Sequence, residues 1–288
     1  MKDKFFILLQ QFLPQHLLSR LVGYLADSQI SWIKNTFIKV FARKYQINMQ
    51  EALEENPTAY PSFNAFFTRA LKPGVRSIDN APEAIVSPAD GAFSQLGQID
   101  YERIFQAKGR GYGLSTLLGG DLDLAADFKN GSFATIYLSP RDYHRVHMPC
   151  DGTLRETIYI PGDLYSVNQT TAENVDQLFA RNERLVAIFD TEHGPMAMVL
   201  VGAMIVAGIE TVWSGQVAPP PATPQRQRFD GQHANIKLAK GDEMGRFKLG
   251  STVVLLFGED AIQWQQEHQA GGSIQLGQRL ATANGPSA

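Results

Sequence analysis

The spacing of apolar residues changes near residue 47, and this change constrains the fold more than any other feature of the chain. Before it, large apolar residues recur every three or four positions, which is the spacing of one face of an amphipathic helix. They are Leu17, Leu18, Leu21, Val22 and Leu25, followed by Ile30, Ile33, Phe37, Val40 and Phe41. After it, short β-branched and aromatic runs bounded by turn residues are typical of strands. The pattern predicts an α+β protein in which N-terminal amphipathic helices precede a largely antiparallel β sandwich or barrel-like body.

The strand-like runs give this body its predicted elements. They are Phe133–Leu138, Leu154–Ile160, Leu185–Phe189, Met196–Val206, Thr252–Phe257 and Ile274–Leu280. Strands do not alternate regularly with long helices, which argues against a doubly wound parallel sheet. Ser62–Leu71 predicts one more short helix, with Ser62 as its N-cap. The Pro-rich stretch at 218–228 predicts an exposed, extended loop.

The charge distribution divides the chain at the same place. Residues 1–44 contain seven basic and two acidic residues, a net charge of +5, whereas the rest of the chain carries −8. A basic amphipathic segment is typical of binding to an anionic surface. The longest uninterrupted apolar run, Phe5–Leu9, is far shorter than the roughly 20 residues of a membrane-spanning helix. We therefore expect a membrane-surface helical segment at 1–46 and a separate domain at 47–288. Packing of the same helices on the protein's own core is the alternative.

Several classes of protein are disfavoured by what the sequence lacks. The single cysteine, Cys150, excludes an intramolecular disulfide scaffold. Gly109, Gly111 and Gly113 form only part of a dinucleotide-binding loop, and no Walker A loop or nucleophile elbow is present. Nucleic acid is a poor candidate partner, because no basic cluster is interleaved with stacking aromatic residues.

Three segments concentrate side chains that carry chemistry. His144 and His147 stand three residues apart near Asp142, which could begin a metal site, but no third ligand follows at a suitable spacing. Each histidine ring could equally be structural, although such a dense loop is more often a functional site. Asp90 precedes a glycine at a probable turn. The step Gly250-Ser251 interrupts what would otherwise be one strand. A bulge or a glycine bend without any functional role would give the same pattern.

Together these segments resemble a known family. Ser87–Gly91 reads SPADG, Tyr143–Pro149 reads YHRVHMP and Phe247–Thr252 reads FKLGST, in that order. The three motifs resemble those of the bacterial-type, pyruvoyl-dependent phosphatidylserine decarboxylases. The resemblance extends over nearly the whole chain, to about residue 280. Further matching stretches are Ser62–Leu71, Tyr159–Asn168, Leu178–Arg184 and Ile209–Trp213.

The resemblance implies that the chain is a proenzyme that cuts itself between Gly250 and Ser251. The products would be a β chain of residues 1–250 and an α chain of residues 251–288, and Ser251 would become a covalent pyruvoyl group. A serine hydroxyl needs a base to become a good nucleophile. His147 would be that base, and Asp90 would hold its tautomer.

The resemblance also implies the reaction and its partners. Phosphatidylserine would form a Schiff base with the pyruvoyl group, lose CO₂ and leave as phosphatidylethanolamine. His144 is our candidate for the general acid, and Tyr137 with Tyr165, Ser166, Val167 and Asn168 are weaker candidates for headgroup contacts. We expect a peripheral protein on the cytoplasmic side of the cell membrane, bound to its anionic surface.

Two other functions stay open on the residues alone. A metal- or serine-dependent hydrolase using His144 and His147 is one, and a non-enzymatic, membrane-attached β module is the other. Both predict an intact chain, whereas the pyruvoyl enzyme predicts two fragments that form a heterodimer. A dimer of these two-chain units is left open.

Overall fold

The N-terminal part of the chain is helical. The computed structural model describes residues 7, 8, 10, 13–204, 208–217, 223–229, 235–248 and 251–285, with only the backbone of Ser251. The first elements are α1 (Gln15–Ala26), α2 (Ser31–Tyr45), a 3₁₀ turn (Met49–Glu51) and α3 (Phe63–Phe67). Ser62 is the N-cap of α3, because its Oγ accepts a hydrogen bond of 3.2 Å from the backbone N–H of Ala65. The helix ends at Phe67, before the predicted Leu71, which instead forms an antiparallel bridge with Ala52.

Aromatic side chains hold α2 and α3 together. Phe37 stacks on Phe63 with ring centroids 4.1 Å apart. Phe41 meets Phe66 and Phe67 edge to face, a favoured arrangement of aromatic rings. The N-terminal helices therefore have their own small core, and one face of α2 is buried against α3.

The rest of the chain is mostly strands. They are β1 (Ala84–Val86), β2 (Gly91–Gln98), β3 (Arg103–Ala107), β4 (Arg110–Gly113), β5 (Ser132–Leu138), β6 (Arg145–His147), β7 (Gly152–Ile160), β8 (Arg184–Thr191), β9 (Gly194–Val201), β10 (Gly208–Thr211), β11 (Gly215–Gln216), β12 (Gln225–Arg228), β13 (Lys237–Leu238), β14 (Glu243–Lys248), β15 (Ser251–Phe257), β16 (Ile262–Trp264), β17 (Ser273–Ile274) and β18 (Arg279–Ala283). The short helices between them are α4 (Leu114–Leu117), α5 (Leu122–Ala126), α6 (Gln169–Asn174) and α7 (Leu178–Arg181).

One large antiparallel sheet forms the centre of this body. Its strand order is β12-β7-β8-β9-β15-β5-β2-β17, with β13 also paired to β7. Two smaller sheets, β1-β18-β16 and β11-β10-β14-β6, and the hairpin β3-β4 complete the described strands. The α+β expectation is confirmed, and the path through the described strands stays open, without closing into a barrel.

Both faces of the large sheet are buried. Val186, Val199 and Val254 contribute to a core shared with helices α4 to α7. Their neighbours on the same strands, such as Leu185 and Met198, contribute to a second core shared with the two smaller sheets. Strands β8, β9 and β15 are therefore continuous apolar runs, because neither face meets water.

Three elements cover different residues in the structure than the sequence predicts. In the predicted run Met196–Val206 the strand ends at Val201, and residues 205 and 206 lie outside the described part. The run Ile274–Leu280 is broken by a turn in which Gly277 has φ +85°, so it contributes to both β17 and β18. Within the predicted Pro-rich loop, residues 218–222 lie outside the described part, and Gln225–Arg228 forms the exposed edge strand β12. In the ranges that the structure covers, no helix is long and apolar enough to span a membrane.

Candidate active site

The Gly250-Ser251 step connects two sheets. Strand β14, in the four-stranded sheet, ends at Lys248, and β15 begins in the large sheet at Ser251. The backbone of Ser251 pairs in register with Leu138, the last residue of β5. Gly250 and the side chain of Ser251 lie outside the described residues.

The loop that carries the two histidines begins at this pairing. Leu138 is followed by residues 139–144, which lead into β6, and β6 pairs with β14. Both the N–H and the hydroxyl of Ser139 donate to one carboxylate oxygen of Asp142, each at 2.7 Å. The backbone carbonyl of His144 accepts from the N–H of Phe247 at 3.0 Å. The backbone of Ser251 therefore lies at the start of the segment that carries His144 and leads into β6, which carries His147.

His144 is completely buried and uncharged. Its Nδ1 lies 2.9 Å from the backbone carbonyl of Asp142, so Nδ1 carries the proton. Its Nε2 has no hydrogen-bond partner among the described residues. Burial, with a smaller effect from the positive charge of Arg69, lowers the pKa of His144 to about 3. The ring packs on Phe67, with centroids 4.0 Å apart.

His147 has a partner at each ring nitrogen. Nδ1 donates to the carbonyl of Gly241 at 2.7 Å, so Nε2 accepts from the hydroxyl of Tyr143 at 3.2 Å. Burial lowers the pKa of His147. A neutral imidazole with a lone pair on Nε2 is the form that a general base requires.

Asp90 lies in the same region, but its hydrogen bonds differ from the expected ones. The backbone N–H of His147 donates to the carbonyl of Pro88, two residues before Asp90. The Asp90 carboxylate accepts a fork from Arg76 at 2.6–3.1 Å and the N–H of Leu276 at 2.9 Å. The expected hydrogen bond from Asp90 to His147 is thus absent from the described contacts. The guanidinium of Arg76 binds both oxygens of the Asp90 carboxylate instead. Asp90 still acts on His147 through space, and its charge raises the pKa of that ring, against the larger effect of burial.

Two cavities meet at Tyr137. The larger one, of about 640 Å³, is polar and is also lined by Arg69, Asp90 and Asp142. The second, of about 420 Å³, is lined by apolar groups that include Val167. Tyr137 and Ala92, which pair in register on β5 and β2, line both cavities.

The remaining candidate contacts have other partners. The side chain of Asn182 bonds the backbone of Tyr165 at both N–H and carbonyl. The N–H of Ser166 donates to Gln10 at 2.8 Å. The side chain of Asn168 caps α6 by accepting from the N–H of Thr171. Of this segment, only Val167 shares a cavity with Tyr137.

Sequence reasoning missed four residues that complete this site. Tyr143 stood inside a quoted motif, where a hydroxyl beside two histidines was a usable signal. Arg69 stood inside the matching stretch Ser62–Leu71 as its one charged residue, whereas Arg76 and Gly241 carried no local signal. Across the described ranges, no group of three His, Cys, Asp or Glu side chains is arranged to hold a metal ion.

Comparison with known proteins identifies relatives along the whole chain. A family model described as phosphatidylserine decarboxylase matches residues 63–282, and a second, described as PSD, matches residues 5–46. The phosphatidylserine decarboxylase proenzyme of Pseudomonas fluorescens strain Pf0-1 is 60% identical over 285 residues, which are 99% of this chain and 100% of that protein. The proenzyme of the same name from Azotobacter vinelandii strain DJ has the same identity and coverage. The chain therefore belongs to the phosphatidylserine decarboxylase family.

Proposed function

We propose that this protein decarboxylates phosphatidylserine to phosphatidylethanolamine, after cutting itself between Gly250 and Ser251. One observation carries the proposal beyond family membership. The pairing of Ser251 with Leu138 sets the start of β15 at the beginning of the segment that leads through the buried His144 to the half-buried His147, and both imidazoles have lowered pKa values. Uncharged imidazoles next to a serine supply the base that makes its hydroxyl nucleophilic.

Self-cleavage follows from the state of His147. Nε2 of His147 takes the hydroxyl proton, directly or through Tyr143, and Oγ of Ser251 attacks the carbonyl carbon of Gly250. The peptide C–N bond breaks as the ester forms, and the proton taken from the hydroxyl goes to the freed amine of residue 251. β-Elimination then removes the Cα proton and breaks the Cβ–Oγ bond, which releases residues 1–250 with a terminal carboxylate. Hydrolysis of the resulting dehydroalanine releases ammonia and leaves the pyruvoyl group. When His147 holds the proton, Asp90 stabilises the resulting positive charge through space and not by a hydrogen bond. The carboxylate of Asp90 is already hydrogen-bonded to Arg76.

The surroundings of Ser251 fit a pyruvoyl group. Thr252 Oγ1 is a buried hydroxyl without a partner among the described contacts, and the carbonyl oxygens of a buried keto-amide need such donors. A pyruvoyl group supplies the electron sink that amino-acid decarboxylation requires. His144 is neutral, so it must gain a proton before it can act as an acid. We propose that its Nε2 takes the proton of the substrate ammonium group and returns it to the carbon that lost CO₂.

A lipid substrate accounts for the exposed face of the N-terminal helices. Leu17, Leu21, Tyr24 and Leu25 are exposed on α1, and Trp32 is exposed on α2. The basic residues Arg20, Lys39, Arg43 and Lys44 are exposed on the same two helices. The opposite side of this segment is anchored to the body, where Gln15 accepts from the N–H of Leu164 at 2.7 Å. We propose that this face lies on an anionic membrane surface, next to the segment that contains Val167.

Replacing Ser251 by Ala should leave one uncut chain without decarboxylase activity, because no hydroxyl remains to attack Gly250. Denaturing gels and intact-mass analysis should show fragments 1–250 and 251–288 for the wild type only. Ser214→Ala, which changes an exposed serine, is the control and should mature normally. Normal cleavage of Ser251→Ala would refute self-cleavage at this step.

His147→Ala and Asp90→Ala should also stay uncut, or mature orders of magnitude more slowly.

Replacing His144 by Ala should separate the two reactions, because His144 is assigned only to the second. The variant should cleave itself, while its decarboxylation rate per pyruvoyl group falls by at least about tenfold, since a general acid contributes 10²–10⁴-fold. His193→Ala is the matched control. If the rate per pyruvoyl group is unchanged and only the yield of cleaved protein drops, His144 is a packing residue.

Acid should destabilise the fold through His144. The unfolded chain titrates this residue near pH 6.5 and the folded chain only near pH 3. Between these values the unfolded chain binds more protons, so stability falls as the pH is lowered. From pH 7 to pH 5 this residue alone should reduce the free energy of unfolding by about 2 kcal/mol. Urea unfolding of uncut Ser251→Ala should show that slope, and adding His144→Gln should remove it. Adding His16→Gln instead, which changes an exposed histidine, should leave the slope in place.

Replacing Leu17 and Leu21 together by Ser should weaken binding to vesicles containing phosphatidylserine, by roughly tenfold or more, because both side chains would otherwise leave water. Point changes suit this test better than deletion of residues 1–44, since α2 packs on α3. Leu122→Ser alters an equally exposed leucine on α5 and should bind as the wild type does. Equal vesicle binding by the double variant, measured by co-sedimentation, would assign the membrane contact elsewhere.

A further inference from the structure

Arg69 is a buried cation that forms no ion pair among the described contacts, although the charges of Asp90 and Glu51 act on it through space. It follows α3, and only 5% of its surface is exposed. None of the described ion pairs includes it, and its Nε has no hydrogen-bond partner. Its Nη2 makes one long contact, 3.4 Å, with the backbone carbonyl of Arg141. The guanidinium otherwise lies near the ring of Phe66, 5.7 Å from its centroid.

Three other arginines of the described body that are buried or mostly buried have partners. Arg76 pairs with Asp90 and Glu51, and Arg145 pairs with Glu243. Arg184 has no carboxylate, but its guanidinium donates to three backbone carbonyls at 2.7–2.9 Å. A buried charge without such partners is expensive. Burial accordingly lowers the pKa of Arg69. The fold therefore keeps at this point a positive charge that its own groups leave unsatisfied.

The position of Arg69 gives this charge a use. Arg69 lines the polar cavity of about 640 Å³ together with Tyr137 and Ser139, beside the Leu138–Ser251 pairing. The two residues before it contact the histidine loop, since Phe67 packs on His144 and the carbonyl of Thr68 accepts from Arg145 at 2.9 Å. The backbone that carries Arg69 is thus held against the segment that contains the two histidines.

We infer that Arg69 binds the phosphodiester of the lipid headgroup and fixes the position of the serine portion relative to His144. The assignment rests on the proposed function. A planar guanidinium fork matches two oxygens of a phosphate. The substrate carboxylate is the other anion available, but it loses its charge when CO₂ departs. An arginine bound to it would stabilise the ground state more than the transition state and slow the reaction. The phosphodiester keeps its charge throughout, so binding it helps positioning without that cost.

Calorimetric titration of the mature protein with three soluble probes tests the assignment. Glycerophosphoethanolamine carries the phosphodiester and amine, ethanolamine the amine alone, and L-serine the amine and carboxylate. The wild type should bind glycerophosphoethanolamine more tightly than ethanolamine. Arg69→Met should weaken glycerophosphoethanolamine binding by roughly 10- to 100-fold, the effect of a charge-assisted hydrogen-bond pair, and leave the other two probes unchanged. Arg69→Lys keeps the charge without the fork and should show a smaller loss.

Control variants and stability measurements separate binding from structure. Arg141→Gln alters a side chain that is 74% exposed on the same cavity, and it should change the affinities by about twofold or less. Arg69→Met should keep the wild-type melting temperature, because an unpaired buried charge does not stabilise the fold.

Four outcomes would overturn the inference. They are equal wild-type affinity for glycerophosphoethanolamine and ethanolamine, a loss confined to L-serine, an equal loss in Arg141→Gln, and a joint fall of melting temperature and all three affinities. If an Arg69 variant does not fold, the wild-type affinities for glycerophosphoethanolamine and ethanolamine still test whether the site binds a phosphodiester. A wild type that does not decarboxylate phosphatidylserine would instead refute the proposed function, so the two failures are distinguishable.

Discussion

The antiparallel pairing of β15 with β5 is the constraint on which the site depends. Seven consecutive residue pairs, from Ser251 with Leu138 to Phe257 with Ser132, set the register between the two strands. A slip by one residue would move every apolar side chain of β15 to the opposite core, so burial on both faces fixes the register strongly. The same register places the backbone of Ser251 opposite Leu138, where the segment that carries the histidines begins. The stability of the sheet and the position of the proposed cleavage step therefore have one physical cause.

Burial determines what the two histidines are able to do. Charged imidazoles would need compensating carboxylates, but Asp90 is engaged by Arg76 and Asp142 by the backbone and hydroxyl of Ser139. Both rings are consequently neutral, each with one nitrogen fixed by a backbone carbonyl. They differ at the second nitrogen, because Nε2 of His147 has Tyr143 and Nε2 of His144 has no described partner. This difference supports a separate proton-transfer role for each histidine.

The N-terminal helices and the site share a packed interface. Phe67 belongs to the aromatic cluster of α2 and α3 and also covers the ring of His144. Arg69 follows two residues later and lines the polar cavity. The helices proposed to lie on the membrane thus pack, through α2, against the α3 segment that forms part of the wall around the reacting groups. This arrangement fits a substrate whose headgroup must leave the lipid surface to be decarboxylated.

The sequence by itself determined the fold class, most central strands and the chemically important residue types. Apolar periodicity located β5, β8 and β15, because a strand buried on both faces is a continuous apolar run. Local motifs located Asp90, His144, His147 and the Gly250-Ser251 step. Hydrogen-bond partners were decided only by tertiary structure: Asp90 binds Arg76, and Nδ1 of His147 binds Gly241, 94 positions away in the chain. Long-range partners depend on which loops the sheets bring together, and no local spacing encodes that. The burial of Arg69 without an ion pair among the described contacts became visible for the same reason, since burial and pairing are properties of the folded chain.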